Sequence, residues 1–338
     1  MKLLTFAVPC YNSEGYMRRC IDTLLTGGER VEIIIINDGS TDRTGEIAEM
    51  YAQAYPSIVR VIHQENQGHG QGVNAGLEHA KGIYYKVVDS DDWLDTEALE
   101  VVLKRMESWQ INETSVDMLV CNYIYDHLNE GKQQQMHYRN VFENGSICNW
   151  QDIGTFLPTQ YLIMHALIFK TEVLRKSGVQ LPKHTFYVDN IFAYQPLPYV
   201  TNIFYLDVDL YHYFIGREDQ SVNEKMLMKR IDQQIFVTKL VSECTDLSKI
   251  QEPKLAAYMT RNISVMMAIS SIHLLLIGDA DAREKRRQLW EHMRKMDQKL
   301  YKTLRYKRLS GLTYLPGKVE DFATVTGYRL ARKVLKFQ

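Results

Sequence analysis

The sequence has no cysteine pattern that suggests a disulfide framework or a zinc site. Its five cysteines are scattered, odd in number and without any C-x-x-C pair: Cys10, Cys20, Cys121, Cys148 and Cys244. This usage is typical of proteins in a reducing compartment, so we expect a cytoplasmic protein.

Long apolar segments are also absent. The N-terminus meets Pro9 before any basic and long apolar region typical of a signal peptide. The most apolar run, residues 263–277, has 15 residues, whereas a membrane-spanning helix needs roughly 20. We therefore predict a buried helix there, in a protein that stays in the compartment where it is made.

Short β-branched runs alternate with helix-like segments through the first third of the chain. This alternation predicts a βαβαβαβα order around an open, mixed but mostly parallel sheet, whose strand ends form a nucleotide-sized crevice. The predicted strands are 3–8, 31–36, 58–62, 83–88 and 118–125, and the predicted helices are 14–25, 42–55, 72–80 and 96–108.

The second half of the chain has a different pattern. Residues 132–214 read as short strands and aromatic-rich loops, with helical pieces near 170–177 and 189–194. Longer helices are predicted at 224–244, 253–277, 280–306 and 319–337. We place a boundary near Asn223, between an α/β domain at 1–223 and a C-terminal helical module at 224–338.

The net charge of −1 hides an uneven distribution, because residues 283–338 carry 16 basic and 5 acidic side chains. This asymmetry indicates an anionic partner. The predicted helix 319–337 has an apolar stripe flanked by basic residues, so it fits an anionic membrane surface. It equally fits packing on the α/β domain or in a homo-oligomer. No nucleic-acid partner is expected.

Four polar segments fall where predicted strands end, the position at which an open α/β sheet binds ligands. They are Pro9-Cys10-Tyr11-Asn12-Ser13-Glu14, Asn37-Asp38-Gly39-Ser40-Thr41-Asp42, the glycine-rich residues 66–76, and Asp89-Ser90-Asp91-Asp92-Trp93. In this order they closely resemble the motifs of the family 2 glycosyltransferases. The resemblance implies a GT-A fold and an inverting transfer of sugar from UDP to an acceptor hydroxyl on a glycan or a lipid-linked molecule. It implies nucleotide-sugar binding by Pro9, Tyr11, Asn12, Glu14, Asp38, Asn66, Gly68, Gly70, Asn74, Asp89 and Ser90.

The Asp-x-Asp segment offers hard oxygen donors two residues apart at a strand end, which suits Mn²⁺ or Mg²⁺. By resemblance Asp91 is the direct ligand and Asp89 shares the metal or faces the ribose. Asp38 could accept the ring N–H of uracil, or it could instead form a turn or cap the next helix.

The glycine-rich segment departs from the family pattern, because Gly72-Val73 replaces the usual Ala-Arg before Asn74. The arginine often faces the diphosphate. Lys86, His69 or Arg217 could take its place.

An acceptor hydroxyl needs a base as it attacks. Asp189 is the candidate, because Val188-Asp189 resembles the family's Glu-Asp base motif with the glutamate lost. By resemblance His212 could complete the metal shell, and Asp92, Trp93 and Arg217 would lie on the acceptor side. The remaining histidines, His165 among them, form no ligand-spaced cluster.

Other classes of function remain. A nucleotidyltransferase would also use carboxylate-bound metal, but it usually has a basic glycine-rich signature after the first strand. A dehydrogenase is disfavoured because no G-x-G-x-x-G follows a strand. A non-catalytic scaffold is supported only by Val188 and the missing arginine.

Overall fold

A computed structural model describes residues 1–127, 131–216 and 224–314, together with residues 326, 327 and 329. The chain divides into two compact units, Met1–Gly216 and Arg217–Gln338. The boundary predicted near Asn223 and nearly all of the helix predicted at 319–337 lie outside the described residues.

The first unit is built on one mixed sheet. Its strand order is β3-β2-β1-β4-β9-β6-β10-β5, with β7 beside β6 and β8 beside β10. The strands β1 to β4, β6 and β10 run in one direction, and the others run against them. Their bounds are β1 (Leu4–Cys10), β2 (Val31–Asp38), β3 (Val59–Gln64), β4 (Tyr84–Val87), β5 (Trp93–Leu94), β6 (Met118–His127), β7 (Lys132–Met136), β8 (Ile147–Cys148), β9 (Leu167–Lys170) and β10 (Ile203–Phe214).

Helices connect these strands. They are α1 (Met17–Leu25), α2 (Thr44–Ala54), α3 (His69–His79), α4 (Thr96–Ile111), α5 (Thr171–Ser177) and α6 (Asp189–Tyr194). Every residue of β1 and β2 is buried, as expected for parallel strands covered on both faces. The five predicted strands and the helices predicted before residue 200 are therefore confirmed, with shifted ends.

The second unit is helical. It contains α7 (Glu224–Lys229), α8 (Ile231–Glu243), α9 (Pro253–Ile277), α10 (Ala280–Met296) and α11 (Gln298–Tyr306), followed by a 3-10 helix at Leu309–Tyr314. The prediction of one helix at 280–306 is wrong. Asp297 is extended, with φ of −146°, and its side chain accepts the amides of Lys299 and Leu300. An N-cap of this kind starts a new helix.

The apolar run predicted as a buried helix forms the second half of α9. By length and composition α9 is the one helix in the described chain that could cross a membrane, and half of its most apolar window is buried inside the structure. The core helix of a soluble protein can have the same length and apolar composition. Within this unit α9 packs against α8, α10 and the 3-10 helix.

Candidate functional site

The loops that follow β1, β2 and β4 meet at one edge of the sheet. The side chain of Asn12 accepts a hydrogen bond from the amide of Thr41 at 2.9 Å. The hydroxyls of Ser13 and Ser90 lie 2.9 Å apart. Because the carboxyl ends of parallel strands share an edge, motifs that are distant in sequence become neighbours here.

Three other residues predicted to bind the nucleotide-sugar, Glu14, Tyr11 and Pro9, have different surroundings. The Glu14 carboxylate accepts the amide of Arg43 at 3.0 Å, so it joins the first loop to the second. Tyr11 is half exposed at 52%. Pro9 supports α3, because a Cβ atom on Gly72 would lie 3.0 Å from the Pro9 Cβ.

Asp38, the last residue of β2, organises the glycine-rich loop. Its carboxylate accepts hydrogen bonds from the Gln64 side chain at 2.7 Å and from the amides of Gln67 at 2.9 Å and Gly68 at 2.8 Å. The Asn66 side chain donates to the Asp38 carbonyl. A carboxylate has about four acceptor positions, so about one is left for a ligand.

The loop and the start of α3 pack closely against the 181–188 segment. Gly68 has a φ of 85°, and a Cβ atom there would lie 2.8 Å from the backbone nitrogen of His184. A Cβ atom on Gly70 would lie 2.8 Å from the Pro182 carbonyl oxygen. Both positions therefore require glycine for close backbone approach.

Asn74 fixes the same segment by two hydrogen bonds. Its side chain donates to the Leu181 carbonyl at 2.8 Å and accepts from the Leu181 amide at 3.0 Å. The segment ends immediately before Asp189, so the glycine-rich motif helps to position that carboxylate.

One group of metal-ligating side chains converges within the described part of the chain. Ligand atoms of Asp89, Asp92 and His165 all lie within 4.8 Å of one another. The His165 Nε2 atom is 3.5 Å from the Asp89 carboxylate and 4.0 Å from that of Asp92. Both nitrogens of this buried ring lack a hydrogen-bond partner. Carboxylate oxygens suit Mn²⁺ and Mg²⁺, and imidazole is a common metal ligand.

The sequence-based expectation that His165 belongs to no cluster is wrong, and strand pairing explains why. Strand β9 runs antiparallel to β4, with Tyr85 opposite Phe169. When this register is continued past the ends of both strands, His165 lies opposite Asp89. His165 lies two residues before β9 and Asp89 two residues after β4, so their proximity follows only from the pairing of these strands.

The charges at this edge are strongly coupled. Burial disfavours the ionised form of Asp89, but the neighbouring His69 and His165 hold its pKa well below the usual range. The His69 Nε2 atom lies 2.8 Å from the Asp89 carboxylate. Burial, together with Asp91 and Asp89, raises the pKa of Asp92 well above its usual value. A bound cation would relieve that repulsion.

Two hydrogen bonds hold Asp92 in place. Its carboxylate accepts from the Tyr211 hydroxyl at 2.5 Å and from the Phe214 amide at 2.8 Å. Both donors belong to β10. The third carboxylate, Asp91, is not among the converging ligand atoms, and its role as the direct metal ligand stays a prediction.

Asp189 is the first residue of α6. Burial is the main cause that raises its pKa above the ordinary value, and Asp89 adds to the effect, while His165 and His69 oppose it. The charges of the strand edge therefore act on Asp189.

Lys86 does not replace the missing arginine. Its side chain is fully buried, and its ammonium donates to the carbonyls of His165 at 2.6 Å and Leu167 at 3.4 Å. Burial lowers the pKa of Lys86 to about 8. Lys86 instead fixes the backbone that carries His165. Of the other two candidates, His69 lies at the site and Arg217 lies outside the described residues.

His212 has other partners than the Asp89 cluster. Its Nδ1 atom is 3.2 Å from the Asp126 carboxylate, and its ring stacks on Trp93 with centroids 5.1 Å apart. The Arg19 guanidinium lies 3.1 Å from the Trp93 ring centroid. The metal role of His212 stays a prediction, and these contacts do not favour it. Trp93 is buried, so it forms a wall rather than an open stacking face.

Residues 5–175 match the family model described as glycosyl transferase family 2. This segment is just over half of the chain, and it includes all four motifs and His165. The chain belongs to glycosyl transferase family 2. It is therefore a glycosyltransferase, and the nucleotidyltransferase and scaffold alternatives lose their support. The match ends before Asp189, so the role of Asp189 as the base stays a prediction.

Comparison with other proteins agrees with this family 2 membership. The chain is 27% identical to EpsH of Bacillus subtilis (strain 168) over 288 residues, which cover 80% of this chain and 76% of EpsH. It is similar to the crystal structure of S. aureus TarS residues 1–349 in complex with UDP-GlcNAc. The TM-score is 0.66 at 16% identity, covering 98% of this chain and 92% of that chain.

A mannosyltransferase, PcManGT from Pyrobaculum calidifontis, has a related fold. Its structure in complex with GDP-Man and Mn²⁺ matches with a TM-score of 0.53 at 14% identity, covering 96% of this chain and 86% of that chain. At these identities the likeness concerns the fold. The GT-A fold with a C-terminal helical region, predicted for this family 2 glycosyltransferase, is confirmed.

Proposed function

We propose that this glycosyltransferase moves a sugar from a UDP-sugar to an acceptor hydroxyl with inversion at the anomeric carbon. The observation that carries the proposal is the pairing of two features at one sheet edge. The Asp89, Asp92 and His165 ligand atoms converge there, and the charges of Asp89, His165 and His69 act on the pKa of the half-buried Asp189 carboxylate.

The residues present fit a divalent cation. The donor set has two carboxylates, and the imidazole of His165 is buried without a hydrogen-bond partner. Asp89, Asp92 and His165 would hold Mn²⁺ or Mg²⁺, and Asp91 lies beside them in sequence as a further candidate ligand. When bound, such an ion offsets the negative charge that develops on the departing diphosphate.

Asp189 is the proposed general base. It accepts the proton of the acceptor hydroxyl as that oxygen bonds to the anomeric carbon, while the bond between that carbon and the UDP oxygen breaks. One displacement inverts the configuration. A carboxylate whose pKa is raised by burial is a stronger base than an ordinary surface aspartate, which favours this role.

The donor is proposed to be a UDP-sugar. TarS, which shares the fold, has been solved with UDP-GlcNAc. Asp38 has about one acceptor position left after its three protein hydrogen bonds, which is enough for the ring N–H of uracil. His69 is the described candidate for the role of the missing arginine near the diphosphate.

The acceptor is proposed to be a hydroxyl of a glycan, a glycolipid or a cell-surface polymer, and the reaction is placed in the cytoplasm. Scattered free cysteines agree with a reducing compartment. Asp92, which the sequence assigned to the acceptor side, is proposed to hold the metal instead, and Trp93 and Arg217 stay the predicted residues of the acceptor side.

A binding experiment tests the metal and donor together. Calorimetric titration of Mn²⁺ in the presence of UDP should give a saturable signal, and a panel of UDP-sugars should raise the thermal midpoint only with Mn²⁺ or Mg²⁺ present. His165→Ala should weaken Mn²⁺ binding at least tenfold, because one ligand group is lost.

His63→Ala is the matched control. The half-exposed ring of His63 lies on the outer strand β3, away from the Asp89 cluster, and pairs with Glu49 of α2. Equal Mn²⁺ affinity for the wild type and both variants would remove His165 from the metal site. Stabilisation by UDP that is unchanged in EDTA would refute metal assistance.

A further inference from the structure

The second unit presents exposed apolar side chains at the end of α11 and in the 3-10 helix Leu309–Tyr314 that follows it. Three large apolar side chains point to solvent within seven residues: Tyr306 at 72%, Leu309 at 72% and Leu312 at 57% exposure. In a 3-10 helix, side chains three residues apart eclipse one another, so Leu309 and Leu312 share one face.

The backbone beneath these side chains is firmly packed. Ser310 is fully buried, and its hydroxyl lies 2.9 Å from that of Ser264 on α9. Gly311 fits tightly against α11, because a Cβ atom there would meet the Arg305 carbonyl oxygen. The two leucines are therefore held outward by an anchored turn.

Two exposed lysines lie close to these apolar side chains in the sequence. Lys302 and Lys307 are exposed, and no acidic residue occurs between Gln298 and Tyr314. We define the basic apolar patch as Lys302, Tyr306, Lys307, Leu309 and Leu312. Aromatic and aliphatic groups flanked by lysines are the composition that binds the surface of an anionic bilayer.

We propose that the basic apolar patch docks the protein on an anionic lipid surface. This inference goes beyond the proposed glycosyl transfer and does not depend on it. The following segment, residues 315–338, carries five basic and two acidic side chains, so as a whole it does not supply the complementary negative charge. Lipid headgroups carry the complementary charge.

Vesicle sedimentation of the full chain tests the proposal. Vesicles of phosphatidylcholine with an equal amount of phosphatidylglycerol should bind the protein at low salt, and vesicles of phosphatidylcholine alone should not. The double substitution Leu309→Ser and Leu312→Ser should weaken binding at least tenfold. Lys302→Gln with Lys307→Gln should weaken it roughly 30-fold, because each lysine near an anionic surface contributes roughly a fivefold step.

Matched controls lie on the first unit. Ile111→Ser removes an apolar side chain that is 80% exposed, and Lys104→Gln removes an exposed ammonium; both should leave binding unchanged. Circular dichroism and the thermal midpoint establish that each variant is folded.

The proposal is overturned if the wild type does not bind anionic vesicles at low salt, or if it binds both kinds of vesicle equally. It is also overturned if deletion of residues 315–338 abolishes binding while the leucine variant binds normally, which would assign docking to the tail. Concentration-dependent dimerisation without lipid that the leucine substitutions abolish would assign the patch to a second copy of the chain.

Discussion

Removal of the Asp38 carboxylate should cost both stability and nucleotide affinity. Asp38→Ala leaves the amides of Gln67 and Gly68 without their acceptor, and each unsatisfied donor costs about 1–3 kcal/mol when buried. Because these amides are partly buried, we expect a loss of about 2–4 kcal/mol in the free energy of unfolding. Asp38→Asn keeps one oxygen and should lose about half as much.

Urea denaturation of the metal-free protein measures the stability, and calorimetry measures UDP affinity. The control is Asp279→Ala, which removes the carboxylate that caps α10 through the single amide of Ala282 in the second unit. That loss should be about 1 kcal/mol, with UDP affinity unchanged.

The two assays separate the two roles of Asp38. If Asp38→Asn loses only about half as much stability as Asp38→Ala but binds UDP as weakly as Asp38→Ala does, the carboxylate contacts the base. A loss of less than about 1 kcal/mol for Asp38→Ala would refute the reasoning that its hydrogen bonds hold the glycine-rich loop.

Three further predictions concern the surroundings of the site. Gly70→Ala should lower turnover, because its Cβ would displace the 181–188 segment, whereas Gly15→Ala, with open space around it, should be neutral by the same assay. Burial lowers the folded-state pKa of Lys86 to about 8, below the ordinary 10.5. Between these two values the unfolded chain binds the proton that the folded chain has lost, so folding becomes more favourable as pH rises. In EDTA, the free energy of unfolding of the wild type should therefore rise by about 3 kcal/mol relative to that of Lys86→Met between pH 8 and pH 10.5. A flat difference in unfolding free energy would contradict this. Turnover should fall toward acid with an apparent pKa above the ordinary 3.8 of aspartate, because Asp189 must be ionised to act.

The sequence predicts the parallel core of the fold because the physical signal there is local. Strands β1 and β2 are apolar runs followed by turn residues, which indicate a buried strand without knowledge of its neighbours. Strand β9 is only four residues long, Leu167–Lys170, too short for any periodicity to show. The sequence pattern does not reveal the break at Asp297, because apolar residues continue at helical spacing on both sides of it.

The candidate site divides in the same way. Asp89, Asp38 and the glycine-rich loop follow predicted strands, so their convergence can be inferred from the sheet alone. His165 comes from the far side of β4 through antiparallel pairing, and the sequence carries no signal for that register. The buried Lys86 likewise reads as a surface charge until its carbonyl partners are known.

The proposed mechanism is tested most directly by the kinetics of Asp189→Asn with the metal and UDP-sugar that the wild type uses. UDP affinity should be nearly unchanged, because the carboxamide preserves the shape of the side chain. Turnover should fall by roughly 10² or more, because the proton acceptor is lost. Turnover equal to that of the wild type, at equal UDP affinity, would contradict the assignment of Asp189 as the base.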